Sequence, residues 1–216
     1  MISEAEMNEL TVEQRVDRVR AAVEAACGRV GRGVDDVEIV AVSKNHGPGR
    51  VREVVDCGLD VVGENRVQEA LQKAPKCPSG LTWHMVGHLQ RNKVRHALQL
   101  FEMIHSVDSE RLLNALESAS DEAGCTLPVC LEVNVSGEGS KWGFSPREVP
   151  GVLERGAALQ RVEIVGLMTM PPFTEDPAEA RPSFCALREL RDRCREQSGL
   201  ELPHLSMGMS RDFEIA

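Results

Sequence analysis

Runs of apolar, β-branched residues alternate along this chain with segments of helical spacing, and no other feature restricts the fold as much. Strand-like runs fall at residues 37–43, 60–63, 81–86, 101–107, 129–135, 162–169 and 202–206. Near-continuous apolar runs of this kind suit strands buried on both faces, as in a parallel sheet covered by helices. The intervening segments carry helix signals, beginning with an amino-terminal helix over residues 11–27. Pro48 suits a first helical turn, Val51, Val54 and Val55 share a face, and Gly58 closes the segment. Asp108 is placed to cap a helix carrying Leu112, Leu113 and Leu116 that stops at Gly124. Ser145-Pro146-Arg147-Glu148 has the pattern of a capping box ahead of Val149, Val152 and Leu153. Asp176-Pro177 opens a further helix with Phe184, Leu187 and Leu190, ended by Gly199.

Such alternation implies either a doubly wound α/β sheet or a (β/α)8 TIM-type barrel. No Gly-x-Gly-x-x-Gly follows the first strand, which favours the barrel. Residues 1–216 are expected to form one domain. Seven strands are legible, and Arg211-Asp212-Phe213-Glu214-Ile215-Ala216 reads as a helix begun at Ser210. The expected architecture is therefore a barrel whose last strand is missing from this chain.

The formal net charge of −9 sets a field that repels nucleic acid and anionic membrane surfaces. Arg188, Arg191, Arg193 and Arg195 alternate with Glu189, Asp192 and Glu196 as on a solvated helix face. The seven cysteines are scattered without a Cys-x-x-Cys pair, the amino terminus carries Glu4, Glu6 and Glu9, and no apolar run is long enough to span a membrane. A cytoplasmic protein, monomeric or weakly dimeric, is expected.

Lys44 ends the first apolar run and is followed by Gly47, Pro48 and Gly49. A lysine at the carboxyl end of a strand is delivered to the rim where barrels build their sites. Partial burial of such an amine disfavours the ammonium form and leaves a nucleophile for aldehydes; the plainer reading is a lysine that reaches solvent from a strand end. Other polar residues cluster at strand ends: Asn65, His84, His105 to Asp108, Asn134, Met168-Thr169, and Ser206 to Ser210. Each also suits a helix cap, and for Asp108 and Ser145 capping is the preferred reading. Ser206-Met207-Gly208-Met209-Ser210 suits either an anion-binding turn or an ordinary capped turn. Gly137-Glu138-Gly139-Ser140-Lys141 lacks the spacing of a phosphate loop and reads as a surface loop. His84 and His88 lack a third partner for a zinc site.

Seven ordered blocks resemble the pyridoxal phosphate homeostasis proteins. They are Val40-Ala41-Val42-Ser43-Lys44, Gly63-Glu64-Asn65-Arg66-Val67-Gln68-Glu69, and Trp83-His84-Met85-Val86-Gly87-His88-Leu89-Gln90-Arg91-Asn92-Lys93. The others are His105-Ser106-Val107-Asp108, Val133-Asn134-Val135-Ser136-Gly137-Glu138, Gly166-Leu167-Met168-Thr169-Met170 and Leu205-Ser206-Met207-Gly208-Met209-Ser210. The resemblance implies an alanine-racemase-like barrel binding pyridoxal 5′-phosphate, with Lys44 as the Schiff-base lysine. It implies Ser206, Gly208 and Ser210 on the phosphate side, and Asn65, His84 and Met168 lining the ring pocket. It also implies a later strand with an Arg-Ile-Gly-Thr-like motif that completes the phosphate cradle, so the expectation is a shortened chain. Asn45-His46 departs from the usual residues after the lysine.

The function implied is a cofactor carrier that buffers pyridoxal phosphate or delivers it to apo-enzymes that use it, without turnover. The first alternative is a pyridoxal-phosphate enzyme such as an amino-acid racemase or decarboxylase. Two-base racemases of this barrel type use a tyrosine, and this chain contains none. A second alternative is a cofactor-free Schiff-base aldolase with Glu64 or Asp108 as its acid/base.

Overall fold

The computed structural model describes residues 10–138, 142–172 and 174–216. Among the described residues, seven strands lie in one sheet in chain order: β1 (Ala41–Val42), β2 (Val61–Glu64), β3 (Thr82–Met85), β4 (Met103–Val107), β5 (Leu127–Glu132), β6 (Val162–Met168) and β7 (His204–Ser206). The pairs β1/β2, β3/β4, β4/β5, β5/β6 and β6/β7 are all parallel. This is the repeating pattern of a TIM-type barrel with one strand fewer than eight. The chain groups into two compact units, one ending at Glu64 and resuming over Gln68–Trp83, the other comprising Asn65–Val67 and His84–Ala216.

In the first unit, helix α1 (Val12–Val30) opens on Thr11, whose hydroxyl accepts from the Gln14 amide while the Gln14 side chain accepts from the Thr11 amide. This reciprocal box satisfies two of the amides that a helix start leaves unpaired. Helix α2 (Pro48–Asp56) begins with proline at its first turn and buries Val51, as its spacing predicts. Helix α3 (Val67–Lys73) follows β2. The run expected as a strand over residues 37–43 is ladder-paired only at Ala41 and Val42, against Val62 and Gly63. Val42 is 45% exposed rather than buried. β1 stands at the end of the strand order, and a strand with one neighbour makes half a ladder and buries less of each face.

In the second unit, a short helix α4 (Val94–Ala97) precedes β4, all five of whose residues are buried. Helix α5 (Glu110–Ala123) buries Leu112, Leu113 and Leu116 and ends at Gly124. Its cap is Ser109 and not Asp108: the Ser109 hydroxyl accepts from the Leu112 amide and donates to Asp108 Oδ1. Helix α6 (Val149–Gly156) buries Val149, Val152 and Leu153, with Glu148 accepting from both the amide and hydroxyl of Ser145. Asp176 caps one 3₁₀ turn (Pro177–Ala180) that leads into helix α7 (Arg181–Ser198), which buries Phe184, Leu187 and Leu190 and ends at Gly199. From Ser210 onward, where a helix was expected, the backbone makes successive turns, with the Phe213 amide donating to the Met209 carbonyl.

Candidate functional site

Lys44 stands on a four-residue turn whose shape follows from its neighbours. Ser43 continues the β1 ladder by donating its amide to the Gly63 carbonyl, and the His46 amide closes the turn onto the Ser43 carbonyl at 3.0 Å. Asn45 holds φ at 63°, the left-handed value that the third residue of such a turn requires and that asparagine tolerates better than most. Lys44 itself is exposed and not partly buried. What fixes it is the backbone on either side.

That backbone is braced from below by a buried ionic network. Lys73, 6% exposed, donates its ammonium to the Ser43 carbonyl at 2.8 Å, to Glu64 Oε1 at 2.5 Å and to Glu69 Oε1 at 3.2 Å. Glu64 Oε1 also accepts the Ser43 hydroxyl at 2.5 Å, and Glu69 Oε1 accepts the Asn45 amide at 2.9 Å. One cation therefore ties together the residues preceding and following Lys44. An ammonium withdrawn from water needs all three of its protons engaged, and here they have three oxygens to reach. An open cleft of about 390 Å3 lies against this network, lined in part by Asn45, His46, Pro48, Gln72 and Lys73. Lys73 carried no signal in the sequence, because a glutamate and a lysine four apart on a helix usually form a solvent-exposed pair.

The second unit holds a different arrangement. His84, on β3, and His105, on β4, are each 6% exposed. His105 Nε2 lies 3.0 Å from His84 Nδ1, and His105 Nδ1 lies 2.7 Å from the Ser206 hydroxyl. β4 and β7 are not neighbours in the sheet, so side-chain contact between them means that the β4 to β7 portion curls. Burial depresses the His84 pKa to about 4, with a smaller effect of His204; burial depresses that of His105 to about 3, helped by His84 and His204. Both imidazoles are neutral at physiological pH.

Of the other sequence candidates, Asn65 is half-buried, and its backbone is approached so closely by Gly87 that a Cβ there would lie 2.6 Å from the Asn65 Cα. Glycine at 87 is what permits that contact. Met168 is buried in a cluster with Met103 and Cys130. Gly208 holds φ at 91°, where a side chain would be strained. The Met209 amide is committed to Asp212 Oδ1, an internal carboxylate within the turn read as anion-binding. Ser210 is exposed.

His84 and His88 do not converge: His88 stacks on Trp142 with ring centroids 4.6 Å apart, and its Nδ1 lies 3.0 Å from Asp108 Oδ2. Glu64 is committed to Lys73 and Ser43, and so is poorly placed to serve as a mobile acid/base. Residues 139–141 of the glycine-containing loop lie outside the described residues. Glu132, at the end of β5, was not singled out from sequence, where it lies within the strand-like run 129–135. Burial first, and the Asp108 charge second, raise its pKa to about 7.

A family model described as the alanine racemase N-terminal domain matches residues 15–216. The chain is similar to the pyridoxal phosphate homeostasis protein of Aquifex aeolicus, 41% identical over 204 residues that span 94% of this chain and 90% of that protein. It is 38% identical over 207 residues to the protein of the same name from Pseudomonas aeruginosa, spanning 95% and 88%. Among solved structures, it resembles PipY of Synechococcus elongatus PCC7942 with PLP bound: TM-score 0.77, 35% identity, 90% of this chain and 92% of that one. An alanine racemase from Clostridium difficile 630 shares the fold at TM-score 0.72 and 14% identity, over 91% of this chain and 52% of that one.

Proposed function

The chain belongs to the pyridoxal phosphate homeostasis protein family, built on the alanine racemase N-terminal domain, and from that premise we propose that it is a reversible carrier of pyridoxal 5′-phosphate. The relative solved with PLP bound supports this reading. When bound, the cofactor supplies an aldehyde, which condenses with a neutral primary amine with loss of one water, and a phosphate group at the other end.

The residues present suit those two ends. Lys44 is the carrier amine, and the observation that carries its assignment is the turn on which it stands, held on both sides by Lys73 and Glu69. An exposed amine on a fixed backbone is open to an incoming aldehyde without prior rearrangement. Ser206, with the His105 imidazole behind its hydroxyl, and the flanking Gly208 and Ser210 are assigned to the phosphate. Asn65, His84 and Met168 are assigned to the ring.

The carrier is non-catalytic in this reading. The chain lacks the tyrosine of a two-base racemase, and its buried histidines are held neutral and hydrogen-bonded to one another. A turnover role draws its support from Glu132, a buried carboxyl poised near neutrality, and predicts that an amino acid loses its α-proton to solvent deuterium at a rate that Glu132→Gln abolishes. The cytosol is the assigned compartment: the seven cysteines are unpaired thiols, and no helix among the described residues is long and apolar enough to cross a membrane. Recipients are apo-enzymes that need the cofactor, met by a monomer or weak dimer.

The test is borohydride reduction followed by mass measurement. Wild type gains one reduced cofactor, whereas Lys44→Ala gains none and keeps its melting temperature, because an exposed turn residue adds little to core packing. A trapped adduct in Lys44→Ala would overturn the assignment.

A further inference from the structure

We propose that His105 is a positioning residue that couples the two ends of the cofactor site: when Ser206 donates its hydroxyl proton to a phosphate, the Ser206, His105 and His84 hydrogen bonds are forced into one direction. His84 Nε2 is then left without a proton. The inference rests on the assignment of Ser206 to the phosphate, and extends it to a residue that assignment does not include.

The argument is a count of protons. His105 is bonded through both ring nitrogens, Nδ1 to the Ser206 hydroxyl at 2.7 Å and Nε2 to His84 Nδ1 at 3.0 Å. A neutral imidazole has one N–H, so it donates on one side and accepts on the other. Only two arrangements satisfy both contacts. In the first, Ser206 donates to His105 Nδ1, His105 Nε2 donates to His84 Nδ1, and His84 carries its proton on Nε2. In the second, His84 Nδ1 donates to His105 Nε2, His105 Nδ1 donates to the Ser206 oxygen, and His84 Nε2 is bare. Both rings are buried, with protonation disfavoured first by desolvation, then at His84 by His204 and at His105 by His84 and His204, so a doubly protonated ring does not blur the alternatives at neutral pH.

A phosphate dianion offers only acceptors and takes the Ser206 proton. That removes the first arrangement. Converting the first to the second passes the Ser206 proton to His105 Nδ1 and the His105 Nε2 proton to His84 Nδ1, while one proton enters at the Ser206 oxygen and one leaves from His84 Nε2, with no change in net charge. The outcome is an acceptor at the outer nitrogen of His84, suited to a hydroxyl or protonated ring nitrogen and unable to serve a bare one. Phosphate at one end thereby sets which ring the other end prefers. This linkage joins Ser206 to His84 through His105, three residues of the same compact unit.

The experiment uses the full chain labelled with 15N in its histidine rings and reads the protonated nitrogen of each neutral tautomer by long-range proton–nitrogen correlation at neutral pH. With saturating inorganic phosphate, His84 and His105 should both carry their proton on Nδ1. In His105→Phe the link is cut: His84 should return to a mixture of tautomers in the presence of phosphate, and phosphate affinity should fall by roughly five- to tenfold as the Ser206 hydroxyl loses its partner. If phosphate perturbs the amides of the 206–210 turn while His84 keeps its proton on Nε2, the coupling is overturned and the phosphate assignment survives. If phosphate perturbs neither the turn nor the rings, both fall. The wild-type spectrum decides the matter even if His105→Phe does not fold.

Discussion

Two buried polar clusters in this chain solve the same physical problem in opposite ways. Under the Lys44 turn, Lys73 and Glu64 stay together as an ion pair with the Ser43 hydroxyl and carbonyl filling their remaining positions. Behind Ser206, His84 and His105 avoid charge altogether and are joined as neutral rings. An ion pair taken out of water gives strong, directional bonds but punishes the loss of either member. A neutral pair costs less to bury and can reverse its hydrogen bonds. The first kind of cluster suits a backbone that must not move; the second suits a contact whose direction must respond to a ligand.

The most severe way to break this contrast is Lys73→Met. It strands Glu64, which is fully buried and whose second carboxylate oxygen already lacks a hydrogen-bond partner. A loss of about 3–5 kcal/mol in urea denaturation is expected, since an uncompensated buried charge remains. Lys73→Met with Glu64→Gln should recover much of that loss. Should the single variant cost under about 1 kcal/mol, Glu64 is not held as a charged partner, and the ionic half of the contrast disappears.

The neutral cluster should declare itself through pH. Unfolded histidine titrates near 6.5, whereas in the fold His84 titrates at about 4 and His105 at about 3. The unfolded chain binds more protons below 6.5, so the stability that these groups contribute is complete above that pH and is lost as pH falls toward 4. Glu132 acts in the reverse sense: raised from 4.5 to about 7, its contribution is complete below 4.5 and is lost as pH rises through 7. Urea midpoints should therefore form a dome. On its acid side the loss is on the order of a few kcal/mol, and His105→Phe should flatten that side while leaving the alkaline side to Glu132. An acid limb unchanged in the variant would mean that the rings are not what resists protonation.

Much of the frame behind these clusters is legible in the chain. Proline and small-residue signals place the starts of α2 and α7, and glycines mark the ends of α5 and α7, because cap chemistry acts over three or four residues. Local reading errs where two adjacent residues compete for one role, as when Ser109 rather than Asp108 caps α5. It also errs at β1, whose apolar run is longer than the ladder that its single neighbour supports. The clusters themselves were beyond it. His105 and Ser206 are separated by 101 positions, and Lys73 reaches back 30 positions to Ser43. Lys44 was legible as a strand-end residue, and the choice between a partly buried amine and one that reaches solvent was left open, since spacing gives the end of a strand and not the depth of the turn beyond it.

The mildest prediction sharpens what the ionic cluster contributes to that turn. Asn45 adopts a left-handed backbone whether or not its amide is held by Glu69, and the two influences can be separated by substitution. Asn45→Ala keeps the amide but penalises φ of 63°, and should cost about 1 kcal/mol. Asn45→Gly keeps the amide and removes the penalty, and should lie within a few tenths of a kcal/mol of wild type. If the Lys73 and Glu69 bonds are what hold Lys44 in place, borohydride trapping at Lys44 should proceed equally well in Asn45→Gly, because the brace outlasts the asparagine. A slower rate in Asn45→Gly, with stability unchanged, would assign the positioning of Lys44 to the asparagine side chain and reduce the ionic cluster to a scaffold for β2 and α3.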